Sequence, residues 1–187
     1  MPIIYTALER FDPGCGDNWQ KFIEWSGLTQ LREIVSLDDI LCPTFFRELI
    51  AEDWQHNVQE NFKTDFFHDL EYVLGRVARN NRFNVLAVIQ EPTPVELAYF
   101  TDSRFVFRGF DLVESGGSIS GLVNCGGFPK AFSPDELSDC GLLKDHAKAL
   151  NVQKLLRDEY PDEPHANCDV WAIWQMKVEP KIAGEQP

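Results

Sequence analysis

Cys125 is the residue whose neighbours best suit covalent chemistry. It stands in Val123-Asn124-Cys125-Gly126-Gly127, at the end of a strand-like run and beside two glycines that allow close backbone approach. Successive backbone N–H groups in such a loop can form an anion nest. A cysteine nucleophile needs a base to make its thiolate, usually histidine, and a third group to orient that base. His165 and His146 are the available imidazoles, and Asp169 or Asn167 the available orienters. Cys125, His165 and Asp169 thus define one reading of the chain, a small Cys-dependent enzyme. Nothing in the spacing obliges the three to meet, and a free cysteine before a turn ordinarily behaves as a small buried apolar residue.

Metal chemistry has less support. His165-Ala166-Asn167-Cys168 has HxxC spacing, with Cys125 and Cys140 remote from it. Zinc sites are usually built from two close pairs of ligands, and only one close pair is present. No metal site and no cofactor are assigned. His56 and His68 are weaker candidates still, and His68, off the apolar stripe, reads as solvated. The acid doublets Asp38-Asp39, Glu52-Asp53, Asp135-Glu136, Asp158-Glu159 and Asp162-Glu163 do not form catalytic dyads by themselves, because adjacent helical residues point in different directions. They read as surface and capping groups. EF-hand, Walker A, GxGxxG, GxSxG and HExxH motifs are all missing from the sequence, which argues against the commonest enzyme classes.

Acids alternate with large aromatics at Glu24-Trp25, Glu52-Asp53-Trp54, Asp65-Phe66-Phe67-His68-Asp69 and Asp158-Glu159-Tyr160. The acids steer a basic partner and a partly exposed Trp or Tyr anchors it. Trp25, Trp54 and Tyr160 are the candidate binding residues. The plainer explanation is that each aromatic is core beside a solvated acid.

Composition favours the binding reading. The 187 residues carry 30 acids against 17 bases, a formal charge of −13. That excess repels nucleic acid phosphates and anionic lipid, so neither is an expected partner. An apolar fraction of 44% and an aromatic fraction of 12% suit a single folded domain rather than a disordered chain. No stretch approaches a membrane span. Met1 to Arg10 does not resemble a signal peptide. The five cysteines are odd in number, with no CxxC, so reduced thiols in a cytoplasm are expected.

The elements that must position these residues follow from pattern. The N-terminal third reads as short helices. One is capped by Asp17, carries Trp19, Phe22, Ile23 and Trp25, and stops near Gly27. A second starts at Pro43 with Phe45, Phe46, Leu49 and Ile50. A third is capped by Thr64, with a stripe of Phe66, Phe67, Leu70, Val73, Leu74 and Val77. Strands then cluster at Phe83–Ile89, Arg104–Phe110 and Asp111–Glu114. The last pairs with Ile119–Val123 across Ser115-Gly116-Gly117-Ser118, and Leu97–Phe100 suits strand or helix.

Ser133-Pro134-Asp135-Glu136 predicts a helix start. The following helix is expected to kink or restart near Asn151, because Leu143, Ala147 and Leu150 share one face while Val152, Leu155 and Leu156 fall on another. Cys168–Val178 reads as an internal strand. Val170, Ala172, Trp174, Met176 and Val178 take one face, Trp171 and Ile173 the other, and both are apolar. Having returned after a long crossover, it is expected to insert between earlier strands.

The expected fold is α+β: a mostly antiparallel sheet with helices packed on it, a helical N-terminal third and an inserted C-terminal strand. Residues 1–178 form the expected domain and 179–187 a flexible tail. The expected function is an acidic, soluble, intracellular protein-binding module, in concrete form an inhibitor or immunity-type protein masking a basic partner. The Cys125 enzyme is the alternative, and a homo-oligomeric structural subunit is a third reading.

Overall fold

A computed structural model describes residues 3–58, 65–78, 80–115, 119–124, 128 and 130–177. Four strands form one antiparallel sheet: β1 (Ile4–Glu9), β2 (Phe83–Gln90), β3 (Phe105–Glu114) and β4 (Cys168–Met176), in the order β1-β2-β4-β3. Among the described residues five α-helices pack around it: α1 (Asp17–Ser26), α2 (Asp53–His56), α3 (Leu70–Val77), α4 (Pro94–Tyr99) and α5 (His146–Glu159). The class is α+β. No described helix is long and apolar enough to cross a membrane.

The last strand does insert between earlier ones. β4 pairs with β2 through Leu86 opposite Gln175 to Gln90 opposite Trp171, and with β3 through Phe105 opposite Met176 to Glu114 opposite Cys168. Alternation sends Trp171 and Trp174 to opposite faces. Trp171 stacks on Phe66 at 5.4 Å, while Trp174 packs against Phe100 at 4.8 Å and Phe107 at 5.0 Å. Val170, Ala172 and Ile173 are fully enclosed between these layers. The segment before α2 covers the Trp171 face, where Ser36 and Leu37 reach Asp111. α5 covers the other, where His146 stacks on Phe110.

Several local expectations give way to tertiary contacts. β1 is a strand that the opening residues do not announce. The segment after Pro43 is not helical: it runs beside β1, with Glu9 N–H donating to Pro43 O and Phe45 N–H to Ala7 O. Covering a sheet edge outweighs the helical spacing of its phenylalanines. α3 begins at Leu70, capped by Asp69 Oδ1. Phe67 instead exchanges two hydrogen bonds with Tyr5 on the outer side of β1, and the expected cap Thr64 lies outside the described residues.

Ser133 forms the anticipated capping box with Glu136, but only one 3-10 turn follows, Pro134–Glu136. The chain leaves it extended at Leu137, which bridges to Leu143, and Leu143 in turn exchanges two hydrogen bonds with Phe110 on β3. α5 starts at the Asp145 cap and runs through Asn151 without a break. The expected restart fails because Leu143 is not in the helix at all. Ala149, Val152 and Leu156 then make a single buried stripe. The hairpin after β3 is a minimal one, with Glu114 N–H donating to Ile119 O and Gly121 N–H to Leu112 O. Residues 116–118 lie outside the described residues, as does the expected tail 179–187.

Candidate functional site

The three aromatics chosen as anchors stand on three elements. Trp25 is in the last turn of α1 and is 57% exposed. Trp19 and Phe22, one face of α1, are buried against the partly buried Phe11, and Trp25 meets Phe22 at 5.9 Å. Gly27, left-handed at φ +69°, ends the helix two residues later, so no further turn covers the indole. Trp54 is 48% exposed on α2, next to Asp53, which is fully buried. Successive helical side chains diverge by about 100°, so turning Asp53 inward turns Trp54 outward. Tyr160 caps α5 and is half-buried, its ring edge-on to Phe128 at 4.9 Å. Glu24 and Glu52, beside the two tryptophans, are exposed.

The Cys-dependent set is arranged differently from expectation. Cys125 lies outside the described residues. His165 sits buried in a 3-10 turn, Pro164–Asn167, with Nδ1 3.2 Å from Glu114 Oε1. That is ion-pair range for a protonated imidazole, but off the line of a hydrogen bond. The carboxylate beside His165 is therefore Glu114, not Asp169. Asp169 accepts from Gln90 Nε2 at 2.8 Å and from Ser115 Oγ at 2.9 Å. The pleat explains the exchange. Glu114 lies opposite Cys168, one residue before Asp169, so Glu114 and Asp169 belong to opposite faces of the sheet.

Three buried cysteines are poor nucleophiles. Burial pushes the Cys42 thiol well above its ordinary range, Cys140 up to about 11 and Cys168 up to about 12. Among the described residues no three His, Cys, Asp or Glu converge as a metal site requires.

Two side-chain networks carried little sequence signal. In the first, Asp38 and Asp111 are fully buried. Asp111 accepts from Ser36 Oγ and Ser120 Oγ, each at 2.6 Å, and from the N–H groups of Leu37 and Leu112. Asp38 accepts from the N–H groups of Ile40, Leu41 and Ser120 and from Asn124 Nδ2. Burial, opposed by these donors, leaves the Asp111 carboxyl raised. With its acceptors filled by protein donors, this network is a clip that ties two loops to β3.

In the second, a polar row crosses the Trp171 face at the other end of the sheet. Arg10 meets Glu33 at 3.4 Å, Asn84 Nδ2 donates to Glu33 at 2.7 Å, and Gln175 Nε2 donates to Asn84 Oδ1 at 2.8 Å. Arg108 Nε then donates to Gln175 Oε1 at 2.7 Å. Arg108 is the extra residue of a β-bulge, where Phe107 lies opposite Trp174 and Gly109 opposite Ile173. The one legible hint was Gly109 inside an alternating run, a bulge signature.

No protein-family model, curated protein or solved structure matches this chain.

Proposed function

We propose that this protein is a binding module for a basic protein, in concrete form an intracellular inhibitor or immunity-type protein. The observation that carries the reading is the exposure of Trp25 and Trp54 on a chain of charge −13. A large apolar side chain left in water gains most when a partner buries it, and tryptophan is the residue most enriched among energetic anchors. Glu24 and Glu52 stand beside the two indoles and would steer a cationic surface toward them. The test is capture on immobilised wild-type protein in parallel with a Trp25→Ala/Trp54→Ala variant, at low and high salt. The reading expects a basic protein retained by wild type at low salt, lost at high salt and lost by the variant. Retention indifferent to both salt and the tryptophans contradicts it.

One observation favours the alternative enzyme enough to keep it. The His165 imidazole has a carboxylate at Nδ1, and its ring packs edge-on to Phe128 at 5.5 Å, three residues after Cys125. A base with an acid beside it, in contact with a residue three positions along the chain from the candidate thiol, is what cysteine chemistry asks for. Its test is the alkylation rate of Cys125 in the folded protein across pH. Reaction with a midpoint well below about 8.5 supports it, and reaction only after unfolding removes it.

A further inference from the structure

We propose that the cleft beside the β3 bulge binds a small monocarboxylate carried on a flat apolar body. The cleft is about 270 Å³ and is lined by Phe107, Arg108, Ser138, Asp139, Cys140 and Lys144. At about 30 Å³ per water that is room for roughly nine waters, enough for a ring and its carboxylate. Neither Trp25 nor Trp54 lines the cleft, so its test stands apart from that of the partner surface.

Three donors line it with capacity unspent. Arg108 is held through Nε by Gln175, and Asn84 Oδ1 fixes the Gln175 amide in turn. This leaves both Nη groups of Arg108 for an end-on, two-point contact with a carboxylate. Neither Arg108 nor Lys144 forms an ion pair among the described residues. Ser138 is buried, and its Oγ accepts from Cys140 N–H and Leu142 N–H, both at 3.2 Å. Among the described residues its own O–H donates to no acceptor. A preorganised guanidinium, a mobile ammonium and a free hydroxyl form a complementary set for one anion.

The remaining lining selects within anions. The Phe107 ring is 40% exposed and is propped by Trp174 and by Phe110 at 5.2 Å, which gives a ligand ring a fixed surface to lie against. Asp139 contributes one negative charge, and its nearest cation is Arg32 at 4.0 Å, on the exposed surface. A dianion such as phosphate meets that carboxylate with twice the charge, so a monocarboxylate is preferred. The bulge makes the arrangement possible. It turns Arg108 out of the strand's alternation, and Gly109, at φ +141°, lets Leu143 O come so near that an added Cβ would sit 2.5 Å from it.

Sodium benzoate is the probe, followed by NMR on the full chain, reading the Arg108 Nε–H and the amides of residues 138–144. The expected result is saturable shifts at those positions, with affinity reduced about tenfold or more in Arg108→Gln and in Lys144→Gln, since each removes one charge-assisted contact. Asp139→Asn should tighten binding. Lys144 is exposed, so Lys144→Gln remains informative even if Arg108→Gln perturbs the fold. The proposal is overturned if benzoate gives no saturable shift at the cleft, if Lys144→Gln leaves the affinity unchanged, or if inorganic phosphate binds as tightly as benzoate.

Discussion

Arg76 grips the carboxylate of Asp53 two-handed, Nε to Oδ1 at 2.8 Å and Nη2 to Oδ2 at 3.0 Å. Tyr72 Oη donates to the same Oδ1 at 2.6 Å, and Ile50 N–H to Oδ2 at 2.7 Å. Burial alone would push the Asp53 carboxyl up; the Arg76, Tyr72 and Ile50 donors outweigh it and hold the group at about 2. A folded value below the unfolded one contributes stability above the unfolded value, and the contribution is lost as pH falls toward the folded one. The window is therefore about pH 4 to pH 2, and the contribution about 2 kcal/mol. Acid titration of unfolding free energy should show this loss in wild type and not in Asp53→Asn. The variant should itself be destabilised by about 3 kcal/mol, because it strands a half-buried guanidinium.

Asp111 should behave with the opposite sign. Its folded carboxyl is raised, chiefly by burial. Its contribution is present below the unfolded value and is lost as pH rises through the folded one. Asp111→Asn places an amide N–H₂ against hydroxyl and N–H donors, and should cost about 3 kcal/mol in urea denaturation at neutral pH. Ser36→Ala, which removes one donor, should cost about 1 kcal/mol. If the two substitutions cost the same, Asp111 is not the hub of the clip.

Gly109 is required by geometry. Gly109→Ala must place a Cβ 2.5 Å from Leu143 O and 2.8 Å from Leu142 Cβ, at a φ of +141°. The expected loss is about 2–4 kcal/mol, read from thermal or urea unfolding. Gly75, whose added Cβ would meet nothing within 4 Å, is the control. It lies inside α3, so Gly75→Ala should stabilise by about 0.5–1 kcal/mol.

Much of the sheet was legible because its strands are apolar on both sides. β4 between β2 and β3 follows from Trp171 and Trp174, which could both be buried only in an internal strand covered on both faces. What was not legible is where long-range contacts override local spacing. Phe45, Phe46, Leu49 and Ile50 have helical spacing, but Phe45 bonds to β1. Leu143 looks like the first residue of a helical stripe but belongs to the edge of β3. The acids Asp38 and Asp53 look like surface charge, and the donors gathered on them and on Asp111, several from distant segments, make their burial tolerable. Beside their acids, Trp25 and Trp54 suit either exposed anchors or core. Their exposure follows from where Gly27 stops α1 and from the inward turn of Asp53.

Alkylation should separate the thiols by burial. Cys42, Cys140 and Cys168, all buried and all raised, should stay unmodified by iodoacetamide at neutral pH until the protein unfolds. Cys15, half-buried and donating to Arg10 O at 3.6 Å, should react before them. Mass-spectrometric mapping over time reads the order. Fast modification of Cys168 would contradict the packing of β4.

The partner surface is tested most directly by the affinity of the captured basic protein for wild type, Trp25→Ala and Trp54→Ala, with unfolding free energy measured in parallel. Both indoles are substantially exposed, so each substitution should leave stability within about 0.5 kcal/mol of wild type. At least one should weaken binding by about 2 kcal/mol, roughly thirtyfold. Unchanged affinity in both variants, with the fold intact, would contradict the account.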